Sequence, residues 1–327
     1  MALTEKSIKT PISFATQIPK EILENEMLNK SISLLPAHYN FEIHKSIWRI
    51  LELKKQLNKP NLLIGLQFPE GLLMFACLIS DMIERFTDSE CVILGDVTYG
   101  ACCVDDLTIK ELNGDFLIHY GHSCLVPINE TAIKTLYVFV EIRIDIEHFI
   151  KTIMLNFPQK TQQIFILGTI QFNSVIFETK ALLEKEGYLN LVIPQEKPRS
   201  SGEVLGCTSP VLSNNKAIVV FLCDGRFHME AVMIRNPQAK FYQYNPYTKI
   251  MSIEEYDNEK MMENRQNAIK KSLSGGKRVC VIFGVLGRQG NKHILERLEE
   301  GLKSKGFEYT VLMNSEVNVE QLQLLNE

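Results

Sequence analysis

Leu62-Leu63-Ile64-Gly65-Leu66, followed closely by Pro69-Glu70-Gly71, sets a pattern that the rest of the chain repeats. An apolar run without polar alternation reads as a strand buried on both faces. The Pro-Glu-Gly turn then hands the chain to a helix predicted over about Leu72 to Arg85, and a strand at Cys91 to Leu94 completes a β-turn-α-β unit. Upstream, Ile47, Ile50, Leu51, Leu53 and Leu57 outline one helix face. Before that, Pro11, Pro19 and Pro36 interrupt any long helix, so the start reads as an ordered arm with a short helix from Lys20 to Lys30.

Downstream the same alternation continues. A helix is expected near Asp105 to Leu112, with strands at Asp115 to His119 and Thr135 to Val140. A second round has a helix Ile146 to Asn156, strand Gln163 to Leu167, helix Asn173 to Glu186, strand Leu189 to Pro194, strand Lys216 to Leu222 and helix Phe227 to Arg235. A third has helix Glu259 to Leu273, strand Arg278 to Phe283, helix His293 to Gly306 and strand Tyr309 to Met313. Strands alternating with such helices predict an α/β fold of layered units with mainly parallel sheets, and three similar rounds predict internal triplication. The expected division is an N-terminal arm over 1–37 and α/β domains over 38–140, 141–257 and 258–327.

Composition narrows the function classes. With 45% apolar and 23% charged residues the 327-residue chain has an ordinary globular balance. A net charge of −4 without a basic block disfavours direct nucleic-acid binding. The longest apolar runs have strand length, short of the ~20 residues that span a bilayer, so no membrane association is expected. The polar start lacks a secretory apolar segment, which makes a cytoplasmic location the expectation. Eight cysteines in that setting are buried thiols, metal ligands or nucleophiles rather than a disulfide framework.

In parallel sheets ligands gather beyond the carboxyl ends of the strands. Cys102 and Cys207 both fall in glycine-containing loops at that edge, where backbone can wrap a bulky group. Cys77, in a helix, and Cys91 and Cys280, within strands, read as small buried hydrophobes. Geometry does not choose between Cys102 and its neighbour Cys103, which point to opposite sides if the backbone is extended. His119 and His122 stand beside Cys124; zinc is one reading, and histidines closing a substrate pocket are the preferred one. Gly284 to Gly290 is a strand-to-helix loop suited to an anion. In it, Arg288 is either solvated or pairs with a ligand carboxylate. Asp224 is either a helix cap or a site residue.

Longer strings then carry a resemblance. Gly95-Asp96-Val97-Thr98-Tyr99-Gly100-Ala101-Cys102-Cys103, His119-Tyr120-Gly121-His122-Ser123-Cys124, Phe68-Pro69-Glu70-Gly71, Leu205-Gly206-Cys207-Thr208, Asp224-Gly225-Arg226-Phe227-His228 and Leu286-Gly287-Arg288-Gln289-Gly290 are similar to the diphthamide biosynthesis protein family. The likeness runs over about residues 17 to 315.

It implies three homologous α/β/α domains around a central 4Fe–4S cluster, with Cys102 and Cys207 as two ligands. The resemblance places the third in a Cys-Pro segment expected beyond Glu327; Cys280, which should lie about 13 Å inside its strand, is not expected to replace it. The implied reaction is reductive transfer of the 3-amino-3-carboxypropyl group from S-adenosylmethionine to C2 of a histidine in elongation factor 2. It implies a homologous second synthase subunit in a heterodimer and a small electron-donor protein. Pro69, Glu70, Gly71, Tyr99, Gly100, His119, His122, Asp224, Arg288, Gln289 and Gly290 are the expected S-adenosylmethionine contacts. A non-catalytic scaffold of the same complex is the competing expectation.

Overall fold

The computed structural model describes residues 18–95, 104–123, 126–214, 216–274, 278–286 and 289–325. Its architecture is α/β; the described residues form four sheets, three of them wholly or mainly parallel and one a two-stranded antiparallel pair.

The first region opens with α1 (Lys20–Leu23), α2 (Glu26–Ile32), β1 (Tyr39–Asn40) and α3 (Ile43–Leu57). The single expected N-terminal helix is two, because Asn25 caps α2 by accepting a hydrogen bond from the Leu28 amide at 2.9 Å. Helix α3 buries Ile43, Ser46, Ile47, Ile50 and Leu53, the i, i+3, i+4 stripe of an amphipathic helix. Then come β2 (Leu63–Gln67), α4 (Glu70–Leu73), α5 (Ala76–Thr87), β3 (Glu90–Ile93), α6 (Asp106–Glu111), β4 (Phe116–Tyr120), β5 (Lys134–Val138) and β6 (Glu141–Ile142). The helix expected over Leu72 to Arg85 is broken at Met74 and Phe75. There the Phe75 ring packs against Tyr39 and Phe41, with centroids 5.8 and 5.3 Å away.

The four parallel strands lie in the order β3-β2-β4-β5, while β6 pairs antiparallel with β1. Strand β4 is buried along its whole length. At its end Tyr120 stacks on Phe68, with centroids 4.4 Å apart and planes 6° from parallel, and both rings are buried. Gly121 follows with φ +84°, and a Cβ there would sit 2.8 Å from the Pro69 ring. Glycine thus lets the ends of β2 and β4 close on each other.

The second region contains α7 (Ile146–Asn156), β7 (Ile164–Gly168), α8 (Asn173–Lys185), β8 (Leu191–Val192), β9 (Ile218–Leu222), α9 (Phe227–Arg235), β10 (Lys240–Asn245) and β11 (Ile250–Glu254). The sheet order is β11-β10-β9-β7-β8, parallel except at the β10–β11 hairpin. That hairpin has no counterpart in the sequence expectations. Its signals were the aromatic-rich run Phe241-Tyr242-Gln243-Tyr244 and the turn at Asn245-Pro246, where the Asn245 side chain accepts from the Tyr247 and Thr248 amides.

The last region has α10 (Asn258–Leu273), β12 (Arg278–Gly284), α11 (Lys292–Ser304), β13 (Glu308–Asn314) and α12 (Val319–Leu324), with β12 and β13 parallel. No described helix is long and apolar enough to cross a membrane.

Replacing the buried Phe68 by Ala removes one ring of the stack and leaves a cavity. We expect it to destabilise the chain by about 3–5 kcal/mol, read from urea unfolding against the parent.

Candidate functional site

The carboxyl ends of the first two sheets face one cavity of about 260 Å³. The turn after β2 contributes Pro69 and Gly71, and the end of β4 contributes Gly121 and His122. From the second sheet come Thr169 after β7, Asp224 after β9 and His228 on α9, with Tyr39 and Tyr247 at the side. Asp224 does not cap α9, whose N-cap is Arg226 without a side-chain hydrogen bond. Arg226 instead ties the loop to the end of β11, through Glu254 and the Glu255 carbonyl. Asp224 is therefore left facing the cavity, and no Lys or Arg is among the described residues that line it.

Three histidines sit here in dry surroundings. Burial, reinforced by His122, pushes the His119 imidazole down to about 3. Burial and then His228 push His122 down to about 4. His228 is also lowered by burial, with Asp224 opposing. All three are neutral at physiological pH.

The tautomer of His119 follows from its partner. Gln67 Oε1 accepts the Asp105 amide at 3.1 Å, so it is the carbonyl end of the side chain. The contact between His119 Nδ1 and that same oxygen, at 2.9 Å, therefore has Nδ1 as donor. His119 Nε2 is left as an acceptor, buried and without a hydrogen-bond partner among the described residues. His122 Nδ1, His228 Nδ1 and Thr169 Oγ1 are likewise buried without partners among them. Several buried polar atoms left open around one cavity mark a site built for a polar ligand.

Near this cavity a buried charge pair within one loop of the second region receives a side chain from the first. Arg199 and Glu203 lie 3.6 Å apart with almost no exposure. Ser123 donates to Glu203 and accepts from Arg199 Nη1 at 2.7 Å, so the loop after β4 is locked to the loop before Cys207.

Cys207 lies beside Gly206, Thr208, Ala231, Ile234 and Arg235 in an adjoining concavity of about 430 Å³, with its thiol free and exposed. Other described cysteines contrast with it. Burial pushes the thiols of Cys91 and Cys223 up to about 12, and Cys223 donates to the Gly225 carbonyl. Cys77 and Cys280, expected to be buried, are exposed. Cys77 falls outside the buried Ala76-Ile79-Ile83 stripe of α5, and Cys280 lies at an outward position of β12. Neither stands at a strand end.

Residues 68–327 match the sequence family described as "Putative diphthamide synthesis protein". The chain belongs to that diphthamide synthesis family. A Dictyostelium discoideum member, 2-(3-amino-3-carboxypropyl)histidine synthase subunit 1, is 47% identical over 99% of this chain and 69% of its own length. The Danio rerio and Homo sapiens proteins of that name are each 48% identical, over 98% and 96% of this chain and 81% and 70% of theirs. Among solved structures, Dph2 from Pyrococcus horikoshii superposes with TM-score 0.69 at 27% identity, covering 84% of this chain and 79% of that one. The same protein with a 4Fe-4S cluster gives 0.69 at 26% identity, over 85% and 80%.

For this diphthamide synthesis family member, the structure gathers Pro69, Gly71, His122 and Asp224 around the cavity. Glu70 is exposed at the start of α4, and His119 stands behind His122, with ring centroids 6.3 Å apart. Gln289 and Gly290 belong to the loop after β12 and do not line the cavity. Tyr99, Gly100, Cys102, Cys103, Cys124 and Arg288 lie outside the described residues. His228, Thr169, Tyr39 and Tyr247 line the site without having been picked out from sequence as contacts. For His228 the signal was its place four residues beyond Asp224, one helical turn into the same loop-helix junction. A soft, accessible thiol on a strand-end loop suits a cluster ligand, and Cys207 is the described cysteine with all three properties.

The depressed histidines also set a pH dependence. With a folded value near 3 against about 6.5 when unfolded, His119 contributes stability that is complete above about pH 6.5 and is lost as pH falls toward 3. At pH 5 the loss from this residue is about 2 kcal/mol. Urea unfolding at pH 7 and pH 5 is expected to show a smaller difference for His119→Asn than for the parent.

Proposed function

We propose that this chain is the cluster-bearing subunit of a transferase that moves the 3-amino-3-carboxypropyl group from S-adenosylmethionine to C2 of a histidine in elongation factor 2, the first step of diphthamide biosynthesis. The observation that carries the reading is the accessible Cys207 thiol on a strand-end loop, beside the cavity where two sheet edges meet. The relatives' name and the solved 4Fe-4S neighbour support it. The units are taken as 38–140, 141–257 and 258–327, preceded by an arm over 1–37.

Cys102 and Cys207 would hold a 4Fe–4S cluster, which when bound supplies the electron that breaks the sulfonium's bond to the aminocarboxypropyl Cγ. The rest falls to the chain's own side chains. Asp224, the carboxylate in a cavity without a described cation, faces the positive end of S-adenosylmethionine, and the Tyr39 and Tyr247 rings offer it π-faces. His122 and His228, neutral and with open ring nitrogens, hydrogen-bond the ligand without adding positive charge. Leu72, Phe139, Val140, Ile142 and Ile170 keep water from the reacting carbon. Arg288, outside the described residues, is assigned the ligand's carboxylate; Gln289 and Gly290, which do not line the cavity, are given no contact. A homologous second subunit, elongation factor 2 as substrate and a small electron donor complete the system, in the cytoplasm.

Anaerobic reconstitution with iron and sulfide, followed by absorption and EPR spectra, tests the reading. A brown product with an EPR signal after dithionite is expected. A colourless, silent one favours the scaffold role. Cys207→Ser should lose most of its iron and Cys91→Ser should keep it; equal retention in both refutes the assignment. On the ligand side, Asp224→Asn and Arg288→Ala should each weaken S-adenosylmethionine binding about tenfold, or ~1.4 kcal/mol, by equilibrium dialysis. Unchanged affinity would remove that residue from the site.

A further inference from the structure

The loop carrying Cys207 is fastened along one helix. Ser209 Oγ donates to the Ala231 carbonyl at 3.0 Å, and Asn236 holds both the Pro210 carbonyl (2.9 Å) and the Leu212 amide (2.8 Å). These bonds secure the downstream half. Upstream, Leu205 and Thr208 exchange backbone hydrogen bonds, both 3.1 Å, and Gly206 and Cys207 form the tip between them.

What touches the tip is Phe227, the first residue of α9. A Cβ on Gly206 would lie 2.3 Å from Phe227 Cε1 and 2.7 Å from Cζ, so the ring occupies the space a side chain would need. Phe227 is nonetheless 73% exposed. A side chain left mostly in water contributes little to the core; its ring meets the turn that presents Cys207 and stands edge-on to His228, with centroids 5.3 Å apart. How the turn holds a ligating sulfur influences both the potential and the persistence of an iron–sulfur centre.

We propose that Phe227 is a positioning residue for Cys207, its ring seated on Gly206 to fix the turn that presents the sulfur to the cluster. The proposal rests on the reading of Cys207 as a cluster ligand. The test compares the full-length parent with Phe227→Ala, Phe227→Tyr and Gly206→Ala after anaerobic reconstitution. It measures iron per chain, decay of the visible absorption in air, the midpoint potential by EPR titration, and the melting temperature.

Phe227→Ala should melt like the parent, yet its cluster should decay about threefold faster or more and titrate at a shifted potential. Phe227→Tyr, which keeps the ring, should behave as the parent. Gly206→Ala, which displaces the ring, should resemble Phe227→Ala, with the double variant no worse than either. If Phe227→Ala matches the parent in both decay and potential, or Phe227→Tyr is as damaging as Ala, the proposal is overturned while the ligand reading stands. A parent chain that takes up no iron overturns both.

Discussion

Two parallel neighbours cannot be joined by a tight turn. Each connection must return across the face of the sheet, usually as a helix, and every strand then delivers its carboxyl end to the same edge. In this chain the constraint acts in β3-β2-β4-β5, in β10-β9-β7-β8 and in the β12–β13 pair, and the first two build the site. Pro69, Gly121, His122, Thr169 and Asp224 come from distant parts of the sequence, yet all leave strands at such ends. The site exists because the two edges face each other. Gly121 allows a close approach on one side, and the Arg199–Glu203 pair with Ser123 fastens the loops near it.

Dryness is the second determinant. An imidazole taken out of water loses its charge more easily than it finds a counterion, and the three histidines follow that rule. The Gln67 carbonyl, already committed to the Asp105 amide, removes the remaining choice of tautomer for His119. The pocket therefore presents lone pairs, a carboxylate and aromatic faces, with no described cation to compete for an anion. Such a lining favours a positively charged guest.

Much of the fold was legible because buried parallel strands carry continuous apolar runs. Leu63–Gln67 and Ile218–Leu222 fall within a residue or two of where hydropathy put them, and Phe227–Arg235 matches its expected bounds. Boundaries failed where tertiary contacts intervened, as at Phe75, drawn out of helical continuity toward Tyr39 and Phe41. The β10–β11 hairpin was missed because its strands are only partly buried and alternate weakly. Within the site, Asp224, His122 and the Cys207 loop were readable from strand-end position. The pairing of His122 with His228 was not, since it depends on how one sheet edge is set against the other. Exposure of Cys77 and Cys280 also escaped sequence, because a helix or strand position does not say which face is covered.

Because the Cys207 loop is pinned to α9 through Ser209 and Asn236, and Asp224 sits at the foot of the same helix, thiol and carboxylate travel as one body. His122 belongs to the other sheet. Ser123, the next residue, is nevertheless clasped by Glu203 and Arg199 of the loop that leads to Cys207, so a displacement of either sheet edge is felt by His122, Asp224 and the thiol together: the three are mounted on one frame.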